Sequence, residues 1–514
     1  MKGAEHLLQG AVASGLEVCF TNPGTTELPI VAALESAPIR PVLGLAEGVC
    51  AGAADGYARM AAKPAMTLLH LGPGLANALS NLHNARRGRT PLVNVIGDHP
   101  AWHKNGDPTL ASDIEGLAHT VSSWVRTVRR PADAGSDIAD AVSAANNSLG
   151  VATLIVPTDC QWGSVEDAAL RPLPLVHRSF ANEATSAAVK ALRSGSRSAL
   201  LLGGPALGEH GLRMAARIAA ATDCKLLCTR LPARIERGAG LPVPERLGYY
   251  ANQLLAQFGA LESVVLAGSG VPMAVFAEPD QAGSVLPSRL RLETLARPED
   301  DVVGALEALA DLVGSATQRT GVADSRPELP SGRLNLENLG LAIAALQPED
   351  AIVVDESITL VRARQSYFAA AAGCPRHSLL SLTGGSLGMG IPCATGAAIA
   401  CPDRPVITIQ ADGAALYTIQ ALWTQAREGL NVTTVICANR RYEILRYEMA
   451  RAGSPELGPV LTALTDLSRP SIDFVSVARG FGVPADRCDT VESLAEKFRR
   501  ALAEPGPHLI EVEL

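Results

Sequence analysis

Short apolar runs that stop at glycine or at a polar turn recur along the chain, and helix-compatible segments separate them. Glu17–Phe20 leads into Asn22-Pro23-Gly24, and Ala65–His70 leads into Gly72-Pro73-Gly74. The intervening segment Gly48–Met60 has a helical composition. Strands that alternate with helices in this way are typical of α/β folds with parallel sheets. The sequence therefore predicts an α/β fold class.

The length of the chain indicates more than one hydrophobic core. At roughly 150 residues per domain, 514 residues predict about three domains. Two segments are candidate linkers: a proline-rich segment at 171–174 and a polar segment with Gly, Pro and Ser at 315–334. We therefore predict three consecutive α/β domains with parallel sheets, which span residues 1–170, 183–320 and 335–514.

Composition excludes several classes of partner. The net charge is −8 and no long Lys/Arg run is present, which argues against a nucleic-acid partner or an anionic membrane surface. The sequence contains no run of about 18 apolar residues, so no membrane span is predicted. The start, Met1–His6, does not resemble a signal peptide. The closest cysteines, Cys224 and Cys228, lack a second ligand pair for zinc. We expect reduced, buried thiols in a cytoplasmic protein.

Two polar residues follow consecutive predicted strands in the last third of the chain. Asp412 follows Val406–Gln410, and Asn439 follows Val432–Cys437 after one crossover. In a parallel sheet both residues emerge at the carboxyl edge, where ligands bind. A carboxylate and an amide oxygen suit Mg²⁺ together with phosphate oxygens, and Gly413 allows close approach at a helix N-terminus. The alternative is an ordinary strand-end Asp and a turn Asn.

The stretch from Ala411 to Asn439 resembles the diphosphate-metal motif of thiamine diphosphate enzymes of the acetolactate synthase and benzoylformate decarboxylase superfamily. The resemblance implies that Asp412 and Asn439 supply the side-chain metal ligands and that Arg441 supplies a backbone carbonyl. Ala411 and Ala438 depart from the family pattern, which has Gly and Asn there. Neither departure removes a metal-binding side chain, so we expect metal binding to be retained.

Glu47 begins the sequence EGVCAGAADGYAR, which is similar to the family pattern E-x-x-A-x-x-A-A-D-G-Y-A-R, with Cys50 in place of the first Ala. The resemblance implies that Glu47 protonates N1′ of the cofactor aminopyrimidine and so promotes loss of the C2 proton. Without the motif, the plain interpretation of Glu47 is a surface carboxylate that stabilises a helix dipole.

Other loops match cofactor-binding segments of the same family. Asn22–Pro29 matches a substrate-side loop, and Leu71–Asn77 matches an SGPG-x-x-N loop with Leu71 in place of Ser. Gly384–Pro392 matches the segment that carries a bulky residue, here Leu387, beneath the bent cofactor. Besides Glu47, Asp412 and Asn439, the implied cofactor contacts are Pro23, Gly24, Gly72, Pro73, Asn77, Ser357, Gly385, Leu387, Gly413 and Ala414.

Besides Glu47, three residues are candidates for catalysis. His70 and Thr25 lie where benzoylformate decarboxylase has an active-site histidine and serine, whereas the second histidine of that enzyme has no match at 273–276. His99, in the loop GDHPAWH, follows a strand end and can shuttle protons near neutral pH. A hydrogen-bonded loop histidine is the alternative, and the choice between His99 and His103 stays open.

The resemblance implies decarboxylation of a 2-oxo acid and/or carboligation through a C2 carbanion or enamine. Acetolactate synthase, with a 2-oxo acid as acceptor, is the alternative reaction. An inactive cofactor-binding paralogue or partner subunit is the alternative from another class. We expect thiamine diphosphate and Mg²⁺. No segment of the middle domain is assigned to FAD, so we expect FAD to be absent or dispensable.

Assembly is also implied by the resemblance, because the family pairs the first domain of one subunit with the third domain of another. Glu47 lies in the predicted first domain, and Asp412 lies in the predicted third. We therefore expect a homodimer or homotetramer with shared sites. A single chain that joins its own two halves is the alternative that the sequence leaves open.

Overall fold

Contacts between residues divide the chain into two compact units. The computed structural model describes residues 1–166, 170, 178–276, 286–314, 321–357, 361–453 and 457–514. Unit 1 comprises Met1–Val176, Glu328–Phe368 and Leu382–Leu514, and unit 2 comprises His177–Pro327 and Ala369–Ser381. The predicted linker at 171–174 lies outside the described residues. Residues 315–320 of the second predicted linker, 315–334, also lie outside them. The division into three domains with the predicted bounds stays a prediction.

The amino-terminal part of unit 1 is a parallel sheet with helices between its strands. Its elements are α1 (Gly3–Ala13), β1 (Val18–Thr21), α2 (Leu28–Leu34), β2 (Arg40–Leu43), α3 (Glu47–Ala61), β3 (Ala65–His70), α4 (Leu71–Gly88), β4 (Leu92–Asp98), α5 (Ala101–Lys104), α6 (Ile114–His119), β5 (Ser122–Thr127), α7 (Ala134–Ser148), β6 (Val151–Pro157) and α8 (Thr158–Trp162). The strand order is β2-β1-β3-β4-β6-β5. Strands β4 and β6 are buried along their whole length, as expected for a parallel sheet covered on both faces.

Unit 2 has its own parallel sheet and core. Its elements are α9 (Asn182–Leu192), β7 (Ser198–Leu202), α10 (Glu209–Thr222), β8 (Lys225–Cys228), β9 (Arg234–Arg237), β10 (Glu245–Arg246), α11 (Ala251–Phe258), β11 (Ser263–Ala267), β12 (Arg291–Ala296) and α12 (Val302–Val313). The order of the parallel strands is β10-β8-β7-β11-β12, and β9 pairs antiparallel with His377–Ser381. The core of this sheet packs around Phe258, Leu254 and Leu201.

The carboxyl-terminal part of the chain continues the α/β alternation. Its elements are α13 (Leu336–Leu346), β13 (Ala351–Glu356), α14 (Val361–Ala370), β14 (His377–Ser381, in unit 2), α15 (Gly390–Ala400), β15 (Val406–Ala411), α16 (Asp412–Ala415), α17 (Ala421–Glu428), β16 (Val432–Ala438), α18 (Glu443–Arg451), α19 (Pro459–Thr465), α20 (Phe474–Gly480), β17 (Ala485–Cys488), α21 (Val491–Ala503) and β18 (His508–Glu513). Within unit 1 the neighbouring parallel strands run in the order β17-β18-β16-β15-β13. The carboxyl ends of β13, β15 and β16 therefore lie side by side.

The predicted α/β fold class with mostly parallel sheets is confirmed. The predicted strand Ala65–His70 is β3. The edge strands β2 and β5 were not predicted, because their partly exposed residues do not form a continuous apolar run. No helix in the described part of the chain has the length and apolar character needed to cross a membrane.

Helices α3 and α15 pack unusually closely in unit 1, because glycines lie where they meet. A Cβ atom added to Gly396 would lie 1.8 Å from the carbonyl oxygen of Ala53, and one added to Gly56 would lie 2.0 Å from that of Cys393. Such distances are far below van der Waals contact. Residues 47–60 of α3 are all buried. Only glycine at these positions allows the two helix backbones to approach this closely.

Replacing Gly396 with alanine is expected to separate the two helices. Overpacking of a dense core typically costs about 1–3 kcal/mol, so Gly396→Ala should lower the free energy of unfolding by that amount. Urea unfolding measures the change. Gly480→Ala is the control, because a Cβ there meets no atom within 4 Å. If the two variants unfold at the same urea concentration, the tight helix contact does not support the fold as described.

Candidate active site

A buried carboxylate joins the carboxyl ends of β15 and β16. Asp412 is the first residue of α16, and its Oδ1 accepts a hydrogen bond from the amide of Gly413 at 2.7 Å. Its Oδ2 accepts from the amide of Arg440, beyond the end of β16, at 2.6 Å. Burial raises the pKa of the Asp412 carboxyl above its usual value, although both amides oppose that shift. A nearby cation would be stabilised by this carboxylate.

The other predicted metal ligands lie in the turn after β16. Asn439 Oδ1 accepts from the amide of Arg441 at 3.2 Å, and the Arg441 carbonyl accepts from the amide of Glu443 at 3.0 Å. Among the described residues, no group of three or more His, Cys, Asp and Glu could hold a metal ion. The available donors are one carboxylate, one amide oxygen and one carbonyl oxygen. Such a set fits a hard cation that takes its remaining ligands from phosphate and water.

Glu47 lies at the first position of α3, close to the start of α4. Its side chain is buried, and its Oε2 accepts a hydrogen bond from Asn77 Nδ2 at 3.1 Å. A Cβ added to Gly74 would lie 3.3 Å from Glu47 Oε1, so the small residue allows α4 to approach the carboxylate. Leu71, at the start of α4, has φ +53°, a left-handed conformation that is rare for leucine. Such strain is common at functional sites.

The glycine-rich segment, residues 384–390, leads into α15, and hydrogen bonds to its backbone groups hold it in position. Glu356, at the end of β13, is fully buried. Its two carboxylate oxygens accept from the amides of Gly388 at 2.7 Å, Met389 at 3.1 Å and Gly390 at 2.7 Å. The Gly388 carbonyl accepts from Thr418 Oγ1 at 2.7 Å. The backbone next to Leu387 is therefore fixed in place, and Gly385, with φ +76°, has open space beside it.

The remaining predicted cofactor contacts lie at the carboxyl ends of strands in unit 1. Ser357 is buried after β13, and its hydroxyl donates to Asp355 Oδ1 at 2.6 Å. The other positions are Pro23 and Gly24 after β1, Gly72 and Pro73 at the start of α4 after β3, and Gly413 and Ala414 in α16 after β15. These positions agree with the rule that ligands bind beyond the carboxyl ends of parallel strands.

His70, at the end of β3, contacts two residues that the sequence analysis did not identify. Its Nδ1 lies 3.0 Å from Glu27 Oε2 and 3.0 Å from Thr26 Oγ1. Glu27 is fully buried and also accepts from the amide of Gly24 at 2.8 Å. With Nδ1–H donated to the Glu27 carboxylate, Nε2 is the ring nitrogen left to exchange a proton with a substrate. Thr25, the predicted hydroxyl, is instead exposed.

His99 follows β4, the strand next to β3, so it lies at the same sheet edge as His70. Its amide donates to Asp98 Oδ1 at 2.8 Å, and its Nε2 is buried without a hydrogen-bond partner. The His103 ring lies 5.6 Å from the His99 ring, centroid to centroid. Both histidines remain candidates. The unpaired Nε2 of His99 distinguishes it from an ordinary hydrogen-bonded loop histidine.

Comparison with known proteins identifies the family. Residues 1–119 match the thiamine pyrophosphate enzyme N-terminal TPP binding domain, and residues 363–512 match the thiamine pyrophosphate enzyme C-terminal TPP binding domain. The chain belongs to the thiamine pyrophosphate enzyme family. The predicted family and the predicted thiamine diphosphate cofactor are thus confirmed.

Individual relatives cover almost the whole chain. It is 48% identical to the "Putative acetolactate synthase large subunit IlvX" of Mycobacterium tuberculosis, over 100% of this chain and 99% of that protein. It is 31% identical to benzoylformate decarboxylase of Pseudomonas aeruginosa, over 97% and 96%. A solved structure, the thiamine diphosphate-dependent 4-hydroxybenzoylformate decarboxylase of Rhodococcus jostii RHA1, superposes with a TM-score of 0.87 at 25% identity, over 100% and 99%.

The hydrogen bonds of Glu356 predict a specific loss of stability. In Glu356→Gln, the side-chain NH₂ replaces one carboxylate oxygen and meets backbone amides that now donate to it: those of Gly388 and Met389 at Oε1, or that of Gly390 at Oε2. An unsatisfied buried group of this kind costs about 1–3 kcal/mol. Chemical denaturation of the cofactor-free protein should show that loss. The exposed Glu349→Gln is the control.

The same variant has a predictable pH dependence. Burial raises the pKa of Glu356 above its usual value despite its four hydrogen-bond donors. The folded state therefore binds this proton more tightly than the unfolded chain, so wild-type stability falls as pH rises from the usual carboxyl pKa to the raised pKa of the folded state. The stability difference between wild type and Glu356→Gln should narrow over that window. A difference that widens would contradict the assignment.

Proposed function

We propose that this enzyme uses thiamine diphosphate, held through Mg²⁺, to decarboxylate a 2-oxo acid, with or without ligation of the product to an aldehyde. One observation carries the proposal: the buried Glu47 carboxylate follows the end of β2, at the first position of α3, and accepts a hydrogen bond from Asn77 Nδ2 at 3.1 Å. A buried carboxylate at the carboxyl edge of a parallel sheet supports a role in proton exchange with a bound ligand.

Each candidate residue has a distinct role in this proposal. When bound, thiamine diphosphate supplies a nucleophilic carbon and an electron sink. Glu47 would exchange a proton with the cofactor pyrimidine, and Leu387 would support the bent cofactor. The Mg²⁺ ion would be held by the side chains of Asp412 and Asn439 and by the carbonyl of Arg441.

The substrate side is assigned to the histidines. His70, with its Nδ1 beside the Glu27 carboxylate, would exchange a proton through Nε2, and His99 would do so from the next strand end. The identity of the 2-oxo acid depends on the residues that face this edge. A screen of 2-oxo acids for CO₂ release, with and without added aldehydes, defines the substrate.

A second candidate reaction is acetolactate synthesis, in which a second 2-oxo acid is the acceptor. The name of the relative that is 48% identical favours it. Product analysis with pyruvate separates the two reactions, because decarboxylation releases an aldehyde and the synthase releases acetolactate. An inactive paralogue would bind the cofactor without accelerating C2–H exchange. FAD stays predicted to be absent or dispensable, and flavin absorbance of the purified protein tests this.

Substitution of Glu47 tests the proposed reaction class. Glu47→Gln keeps an oxygen that can accept from Asn77 Nδ2, so the fold should survive. The amide cannot donate a carboxyl proton, so exchange of the cofactor C2 proton for deuterium should slow by about 10²–10⁴-fold. NMR of quenched samples measures this exchange, with thiamine diphosphate and Mg²⁺ at saturation.

The control for this experiment is Glu17→Gln, the same substitution at an exposed carboxylate that pairs with Lys63 in the same unit. It should exchange C2–H at the wild-type rate. Wild-type exchange in Glu47→Gln would remove Glu47 from the mechanism. If wild type itself fails to accelerate exchange, the inactive-paralogue alternative replaces the proposed reaction.

We also propose that the enzyme is a homodimer or homotetramer. The family resemblance supports sites shared between subunits. In this structure, however, Asn81 links α3 to the glycine-rich segment within one chain, so a site completed by a single chain remains the competing arrangement. Asp412 and Asn439 follow neighbouring parallel strands of one sheet. Both arrangements keep these two residues together in the same chain.

A mixing experiment decides between the two arrangements. Glu47→Gln protein and Asp412→Ala protein are combined under conditions that exchange subunits, and C2–H exchange is measured. If the sites are shared, mixed dimers regenerate intact sites and recover part of the activity. If each chain builds its own site, activity stays at the level of the separate variants although subunit exchange is proven by mass spectrometry of differently tagged chains.

We also propose that the protein is located in the cytoplasm. All ten cysteines are free thiols, and nine of them are buried; Cys401, at the end of α15, is partly exposed. Unpaired cysteines in this number are typical of proteins kept in a reducing compartment. Cys224 and Cys228, the closest pair in the sequence, are separate buried thiols beside and within β8.

A further inference from the structure

The turn that follows β16 contains a residue with an unusual backbone conformation. Arg440 lies between Asn439 and Arg441, the two residues of this turn that are proposed to hold the metal ion. Its φ is +55°, in the left-handed region that non-glycine residues seldom adopt. For a residue with a side chain this conformation costs about 1–2 kcal/mol, so other contacts must offset it. We refer to residues 439–441 as the metal turn.

The backbone of Arg440 is bonded to two other segments of the chain. Its amide donates to Asp412 Oδ2 at 2.6 Å, and its carbonyl accepts from the amide of Leu467 at 2.9 Å. Arg440 directly follows Asn439 and bonds to Asp412, so its conformation affects the separation of these two proposed ligands. A change in this single residue would therefore alter the geometry available to a cation.

The side chain of Arg440 is anchored by an ion pair to the neighbouring strand. Its Nη2 donates to Oε1 of Glu513, the last residue of β18, at 2.6 Å. Strand β18 pairs in parallel with β16, and Ala438 lies opposite Glu513 in that register. Glu513 Oε1 also lies 3.8 Å from Arg487 Nε. The guanidinium of Arg440 is thus held at the edge of the sheet by a carboxylate that the strand pairing places there.

The charge of Arg440 acts on the same carboxylate that is proposed to hold the cation. Burial raises the pKa of Asp412, and the positive charge of Arg440 is one of the influences that oppose this rise. The same charge would repel a divalent cation bound to Asp412. Glu513, which carries the opposite charge and pairs with Arg440 at 2.6 Å, offsets that repulsion.

We propose that Arg440 and Glu513 are positioning residues for the cation: Glu513 holds the metal turn through the Arg440 side chain and neutralises its charge. The inference rests on the proposed function, in which Asp412 and Asn439 hold Mg²⁺. Because all four residues lie in the carboxyl-terminal part of one chain, the inference is independent of whether sites are shared between subunits. Partly exposed ion pairs contribute at most about 1 kcal/mol to stability, so we expect the effect in metal affinity rather than in global unfolding.

The first test measures the turn in the cofactor-free protein. In Glu513→Gln, hydrogen–deuterium exchange in peptides that contain residues 439–442 should accelerate by about threefold or more, because the turn loses its ion pair. Glu428→Gln is the matched control: Glu428 pairs with Arg40 at the same distance, 2.6 Å, but lies before the amino end of β16. It should leave these peptides at the wild-type rate. Urea unfolding should place both variants within about 1 kcal/mol of wild type.

The second test titrates Mg²⁺ into the protein at saturating thiamine diphosphate by calorimetry. Glu513→Gln should weaken Mg²⁺ binding by about fivefold or more, because the charge of Arg440 is no longer offset. Adding Arg440→Gly to this variant should restore the wild-type affinity, since glycine adopts the left-handed conformation without strain and carries no charge. Glu428→Gln should bind Mg²⁺ as wild type does.

The outcomes of the two tests are separable. Unchanged Mg²⁺ affinity in Glu513→Gln, or a loss that Arg440→Gly does not reverse, would overturn the proposal. If Glu513→Gln fails to fold, Arg440→Ala replaces it: this variant keeps the backbone strain without the ion pair, and it should bind Mg²⁺ more weakly than Arg440→Gly. If wild type does not bind Mg²⁺ with thiamine diphosphate, the proposed function fails, while the peptide exchange still decides whether Glu513 holds the turn.

Discussion

The contact between α3 and α15 is the interaction on which the rest of unit 1 depends. Gly396 and Gly56 let the two helix backbones meet at distances that any side chain would prevent. Both helices begin at candidate active-site elements: α3 begins with Glu47, and the glycine-rich segment leads into α15. Because helices are stiff, the contact along their length also determines where their first residues lie. The glycines at this helix contact are therefore needed to position the candidate active-site residues.

Polar groups, rather than large side chains, complete this interior. Aromatic residues make up only 4% of the chain, and buried amides and carboxylates hold the backbone where aliphatic packing cannot. Glu356 accepts hydrogen bonds from three consecutive backbone amides, and Asn81 donates to the carbonyls of Gly48 and Gly388. Buried hydrogen bonds of this kind favour one arrangement over its alternatives, because breaking them leaves buried polar groups unpaired.

The sequence predicted those features that depend on local pattern. Strands such as β3 could be read from their apolar runs, and Glu47, Asp412 and Asn439 could be found because each stands in a motif. Glu27 could have been found, since an acidic residue three positions after Gly24 is the spacing of a capping interaction. Thr26 was not predicted as a partner of His70, because which of two adjacent hydroxyls is buried depends on a short turn.

Long-range contacts explain what the sequence did not predict. Asn81 and Asn84 meet carbonyls 307 and 302 residues further along the chain, and nothing near them in the sequence indicates that pairing. Glu356 directly precedes Ser357, a predicted cofactor contact, but its partners at 388–390 are set by how β13 and α15 pack. Helical spacing alone reveals that Asn77, Asn81 and Asn84 share a face of α4, and only the fold reveals what that face meets.

The distribution of the thiols has a practical consequence for spectroscopy. Burial raises the pKa of nine of the ten cysteine side chains, so little thiolate is present in them at neutral pH. Cys401 alone is partly accessible, and it lies one residue beyond α15. A maleimide fluorophore would therefore attach there in the unmodified protein. The dye would sit at the far end of the helix whose other end follows the glycine-rich segment, without removal of any native cysteine.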